Sequence, residues 1–149
     1  MRALLLTAAV VIFGAVAGLA GSTASAAPPV AISIEGTVIQ FGPPPQFHGV
    51  WHSSGAFSDA GTFVETEYHA TGSLPHSPVV GAFQAVIVFS GPQGTFTVAQ
   101  EAIFTPKALG GHWQVVSGTG AYDDLKGHGS FEFVFPNSLT FTGVASEAT

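Results

Sequence analysis

Three stretches of this chain carry side chains that could do chemistry, and two isolated glutamates join them. The first is HGVWH, His48 to His52. Two histidines four apart share one face of a helix and can hold a zinc ion. Gly49, Val50 and Trp51 favour a strand instead, on which four residues span roughly 13 Å, too far for one metal. The stretch reads as a strand with Trp51 in the core and histidines flanking it, and no metal site is expected. The second stretch is FVETEYH, Phe63 to His69. Strict alternation puts Glu65, Glu67 and His69 on one side of a strand and Val64, Thr66 and Tyr68 on the other. Facing a closed pocket, desolvation and mutual repulsion would raise a carboxylate pKa there towards acid–base use. A solvated face is the commoner arrangement for such charges, and it is the one expected here.

The third stretch, SGTGAYDDLKGHG over 117–129, looks most like a ligand loop. A phosphate loop needs G-x-x-x-x-G-K-[ST], and Lys126 is followed by Gly127 rather than Ser or Thr. The dinucleotide pattern G-x-G-x-x-G fails as well, because Ala121, Tyr122 and Asp123 follow Gly118 and Gly120. Calcium draws roughly six to eight oxygens, and adjacent Asp123 and Asp124 lack the ordered D-x-D-x-D series. A bend fits better. One strand ends at Gly118 and Gly120, Ala121–Leu125 makes a short helical turn with Tyr122 and Leu125 inward, and the next strand starts at Gly127 and Gly129.

Glu101 and Glu132 each interrupt an apolar stretch. A buried carboxylate needs a partner, and His48, His52, His112 and Tyr122 are available. With Glu65 these two complete the candidates for a catalytic acid. No serine sits in a nucleophile-elbow pattern and the chain has no cysteine, so covalent hydrolysis finds no support.

The elements that must position these groups are strands. Val30–Gln40, His48–Phe57, Gly61–Ala70, Val79–Ser90, Gly94–Thr105, His112–Ser117, Gly129–Phe135 and Leu139–Ser146 are β-rich runs. Gly, Pro, Asn and Asp punctuate them, as in FGPPP over 41–45 and in Thr71–Pro78. Short strands at regular spacing without a helical period indicate an all-β sandwich or barrel. Phe96, Val98, Gln100, Ala102 and Phe104 share one face, and Phe131, Phe133 and Phe135 share another. The opposite faces are not cleanly polar, so the outer wall of a barrel or sandwich could also meet another copy of the chain.

Composition sets the setting. Arg2, an apolar run over Ala3–Ala20 and the small-residue site Ala24-Ser25-Ala26 describe a secretory signal peptide, residues 1–26. That leaves 27–149 as a single domain, large enough to bury its own core. All thirteen phenylalanines but Phe13 lie in it, each contributing roughly 1.5–3 kcal/mol when buried. No disulfide supports the fold, since there is no cysteine. Beyond the leader only Lys107 and Lys126 oppose nine acidic side chains. Phosphate-backbone binding relies on clustered Lys and Arg, so nucleic acid and anionic membrane surfaces are excluded as partners.

The run Ser117–Tyr122, with Leu125, Gly127, Gly129 and the strand Ser130–Phe135 after it, resembles the late strand–bend–strand of the allene oxide cyclase-like barrel superfamily, which includes the dirigent proteins. The resemblance covers about a tenth of the chain and implies a single closed antiparallel barrel of about eight strands, often trimeric, with an apolar pocket. Members bind or steer hydrophobic small molecules. The glycine motif is scaffold in them and transfers no catalytic residue, and the absence of Arg beyond the leader departs from dirigent-type pockets.

The expectation is therefore a secreted, extracellular β-barrel that binds a small apolar molecule in its interior, without a cofactor. Its walls would come from Phe96, Val98, Phe104, Phe131, Phe133 and Phe141, with Gln100 or Glu101 orienting the ligand. A cyclase or isomerase using Glu101, Glu132 or Glu65 is the second reading. A self-associating protein with a filled barrel is the third. Partners admitted by the sequence are an apolar small molecule and further copies of the chain.

Overall fold

A computed structural model describes residues 28–74, 77–105 and 108–146; the expected leader lies outside them. Eight strands pair in chain order, all antiparallel, and the first also pairs with the last, so the sheet closes into a barrel. They are β1 (Val30–Gln40), β2 (His48–Gly55), β3 (Ala60–Leu74), β4 (Ser77–Gly91), β5 (Gly94–Phe104), β6 (Leu109–Gly118), β7 (Gly127–Val134) and β8 (Ser138–Ala145). Closure decides between the two architectures that alternation alone leaves open.

Two stretches expected as loops are strand. Thr71–Leu74 and Ser77–Pro78 lengthen β3 and β4, and Leu109–Gly111 begins β6. Cross-strand pairing overrides their turn-like composition. Gly110, for instance, is opposed by Ile103 on one side and Glu132 on the other.

The inward row is apolar at almost every level. It includes Ile32, Ile34, Trp51, Phe63, Ile87, Phe89, Val98, Trp113, Phe131 and Phe141, all buried. The two tryptophans repeat one arrangement. Trp51 stands opposite Gly61 and donates its indole N–H to Thr62 and Ser90 carbonyls, at 3.1 and 3.2 Å. Trp113 stands opposite Gly129 and donates to Ser130 and Thr142 carbonyls, at 3.0 and 3.1 Å. Each indole thereby spans two strands with its buried donor satisfied.

One end of the barrel is filled. The connections after β2, β4 and β6 gather there. Phe89 and Phe96 stack with centroids 4.8 Å apart, and Trp51 meets both edge-on. Tyr122 and Phe57 close over Phe96. The bend after β6 makes this possible. Gly120 has φ +64, left-handed backbone that suits glycine, and a Cβ on Gly118 would run into the Tyr122 carbonyl. A single 3₁₀ turn, Gly120–Tyr122, then lowers Tyr122 and Leu125 into the barrel, both buried. The Tyr122 hydroxyl donates to Asp59 Oδ2 at 2.7 Å, tying this bend to the β2–β3 connection. SGTGAYDDLKGHG is a plug.

Candidate functional site

The other end is hollow. A cavity of about 770 Å³ opens between the β1–β2 loop and the ends of β3 to β8. Phe41, Pro43, Pro44 and Phe47 bring the loop over it. Phe41 meets Phe47 and Phe133 edge-on, at 5.7 and 5.9 Å. Phe83, Phe104, Leu109, Phe131, Phe133 and Leu139 supply further apolar wall, and Tyr68 stands half-exposed at the lip against Phe83. Eight-stranded barrels are just wide enough to be filled by side chains or to hold one small ligand. This one does the first at one end and has room for the second at the other.

Among the described residues, Glu65 and Gln100 are the buried polar side chains that interrupt the wall. Glu65, on β3, is only 6% exposed. Its backbone N–H donates to the Phe47 carbonyl at 2.9 Å, which holds the strand against the loop. Its carboxyl group has no hydrogen bond or ion pair among the described residues, and burial pushes it from an ordinary 4.5 up to about 7. Gln100, on β5, is also 6% exposed, and its Oε1 is buried without a hydrogen-bond partner. Between them runs β4, where Ile87 opposes Glu65 and Ala85 opposes Gln100. An unmet buried polar group costs about 1–3 kcal/mol, and among the described residues Gln100 Oε1 is such a group, facing the same hollow as the Glu65 carboxyl.

The alternation expected for FVETEYH breaks at a bulge. Glu65 opposes Ile87 and Glu67 opposes Val86, so Thr66 is extra in β3. The phase of the strand flips. Glu65 turns inward with Phe63, whereas Glu67 and His69 turn outward, 3.9 Å apart and exposed, and Tyr68 and Ala70 take the cavity side. The three polar residues do not form one cluster, and the solvated face expected for all of them holds only for Glu67 and His69.

Of the other sequence candidates, Glu101 and Glu132 lie on the outer wall, exposed, because they alternate with inward Gln100 and Ala102 and with inward Phe131 and Phe133. Glu101 accepts a hydrogen bond from Gln84 Nε2 at 2.8 Å. Neither can act in the cavity, which corrects the expectation for both. Gln100, Phe104, Phe131 and Phe133 line the hollow. Phe96, Val98 and Phe141 do not; they are fully buried in the packed part of the barrel. His48 and His52 flank Trp51 on the opposite face, and His52 lies 3.3 Å from Glu35. Among the described residues no group of three or more His, Cys, Asp or Glu is placed to hold a metal. Sequence reasoning missed Phe41, Phe47, Tyr68 and Leu109. Two phenylalanines bracketing a proline run are large apolar residues in turn composition, and that was the available signal for the lid.

The fold and this cavity define a class: a closed eight-stranded antiparallel β-barrel, plugged at one end and hollow at the other. Residues 48–142, more than half of the chain, match DUF3224, a family described as protein of unknown function, and the chain belongs to that family. No curated protein matches the chain.

Proposed function

We propose that this protein is an exported carrier or sensor that binds one small apolar molecule in the hollow end of its barrel. The reading rests above all on one observation: Glu65 and the unpartnered Gln100 Oε1 line an otherwise apolar cavity of about 770 Å³. Ligand sites are mostly apolar with a few placed polar groups, and a buried acceptor left without a partner, as Gln100 Oε1 is, calls for an explanation that a bound ligand supplies. The leader-like residues 1–26 support export and an extracellular setting. The resemblance of SGTGAYDDLKGHG to the allene oxide cyclase-like superfamily supports the same reading, since the bend sits where it plugs a barrel.

A second reading, a cyclase or isomerase, is favoured by Glu65 alone. A carboxyl group titrating at about 7 inside an apolar cavity is poised to give or take a proton. Glu65 is the one of the three candidate carboxylates that faces the hollow.

Titration with Nile red, a neutral apolar dye, tests the binding reading. Saturable fluorescence enhancement at one site per chain is expected. Leu109→Trp, which fills the hollow from a half-buried wall position, should weaken the dye at least tenfold. Unsaturable binding, or dye affinity indifferent to Leu109→Trp in a folded variant, would overturn the proposal.

A further inference from the structure

The chemistry of the hollow narrows what can occupy it, and this inference rests on the binding reading above. Among the described residues, the polar side chains set deep in the wall are Glu65 and Gln100, both 6% exposed; neither head group has a hydrogen bond or ion pair to a described residue, and Gln100 Oε1 is buried. When Glu65 is ionised, its two oxygens and Gln100 Oε1 are three acceptors, and the Gln100 Nε2 amide is the donor beside them. No Lys, Arg or His stands among the described residues of the lining; Tyr68, at the lip, is the other titratable side chain.

Three candidate head groups meet this wall differently. A carboxylate would place a second negative charge beside Glu65 in a poorly solvated space, with no countercharge among the described lining residues, which is strongly unfavourable. A hydroxyl brings one donor and leaves acceptors unmet. A primary ammonium brings three N–H donors and the opposite charge. Its charge also suits the aromatic wall, because cations are attracted to the faces of phenylalanine and tyrosine rings; Phe83, Phe104, Phe131 and Phe133 line the same space. We propose that the hollow takes an apolar molecule bearing a primary ammonium group, its three donors shared between the Glu65 carboxylate and Gln100 Oε1. The apolar body lies against the phenylalanines towards the lip. The net charge of the chain, −6, favours approach of a cation.

The test is displacement of Nile red from the full-length secreted protein at pH 8, where Glu65 is mainly ionised. The competitors share one skeleton: phenylbutylamine, phenylbutanol and phenylbutyrate. The amine is expected to displace dye at a concentration at least tenfold below that of the alcohol, and the carboxylate to be weakest. Glu65→Gln should remove the amine's advantage over the alcohol, each competitor's potency being read against that variant's own dye affinity. Gln100→Leu, a second variant in case the first does not fold, should reduce that advantage severalfold. Equal potency of the three, a carboxylate preferred over the amine, failure of all three to displace bound dye, or an amine advantage that survives both substitutions would overturn the inference while leaving the binding reading intact. Failure of the dye itself to bind would remove both.

Discussion

The two ends of this barrel are built from the same amino acid and come out opposite. At the plugged end, Phe89, Phe96 and Phe57 pack with Trp51 and Tyr122, and Phe63 lies against Phe89, with ring centroids mostly 5 to 6 Å apart. The polar atoms there are satisfied: the Trp51 indole by two carbonyls, the Tyr122 hydroxyl by Asp59. At the hollow end, Phe83, Phe104, Phe131 and Phe133 stand around a void, and Gln100 Oε1 is buried without a partner among the described residues. Phenylalanine content does not explain the difference; the neighbours do. The hollow is bounded by Ala70, Gly72, Gly81 and Ala82 as well as by rings, so side-chain volume runs short at that level. At the plugged end an extra segment, the bend carrying Tyr122 and Leu125, adds volume that no strand supplies. One end has the satisfaction and density of a core, and the other has the features of a site.

The comparison can be broken most forcefully from the plugged end. Phe96 is completely buried and touches Phe89, Trp51, Phe57 and Tyr122. Phe96→Ala should cost about 3–5 kcal/mol of unfolding free energy, because the surrounding rings cannot collapse into the space. Phe104→Ala, half-buried in the wall of the hollow, should cost markedly less and should weaken Nile red instead. Urea denaturation with parallel dye titration reads both quantities. Equal destabilisation by the two substitutions would mean that the ends do not divide the work.

A pH series sharpens the contrast next. Glu65 is buried and its carboxyl is raised from 4.5 to about 7. Between those values the unfolded chain has lost this proton while the folded protein keeps it, so the folded state binds more protons and stability falls as pH rises. Below the window both forms are protonated and nothing is lost. Above it the whole cost is present, up to about 3 kcal/mol. Glu65→Gln removes this component. The variant should lose less stability than the parent between pH 4.5 and 7 and be the more stable of the two at pH 8. Denaturant midpoints across the series check this, and parallel profiles for the two proteins would place Glu65 in a solvated environment.

The amino-acid order made much of this legible. β1 and β5 were readable nearly to the residue, because β-branched and aromatic runs there end at FGPPP and Pro106. A period of two put Gln100 on one face with Phe96 and Val98, and Phe131 on one face with Phe133, without saying which face turns inward; the inward Tyr122 and Leu125 followed from the spacing within the bend. Glu65 was readable as a candidate but not as the buried member of its stretch. Alternation carries no sign of a bulge, which is set by the register between two strands, as in β3 and β4 across Thr66. Glu101 and Glu132 misled for a related reason. Ile103 and Val134 beside them are apolar yet 58% and 53% exposed, so both faces of β5 and β7 looked like interior. The division into a full and an empty end was out of reach, because it depends on which side chains share a level around the barrel, and that is set by register between strands.

The smallest effect tests the idea that the hollow end is shaped for something other than stability. Gln100 lies on β5 between the outward residues Ala99 and Glu101, two positions from buried Val98 and Ala102. A leucine there would continue the apolar row and remove an acceptor that the fold leaves unmet. Replacing an unsatisfied buried polar group by an apolar one of similar size is neutral or favourable, so Gln100→Leu should raise unfolding free energy by about 1 kcal/mol. The same change removes one of the two polar contacts available to a ligand. A variant that is more stable yet discriminates less among amine, alcohol and carboxylate head groups would show Gln100 held in the wall against the interest of the core. Should Gln100→Leu instead destabilise by several kcal/mol, the amide would be meeting a need of the barrel itself, and the hollow end would be a core that happens to contain space.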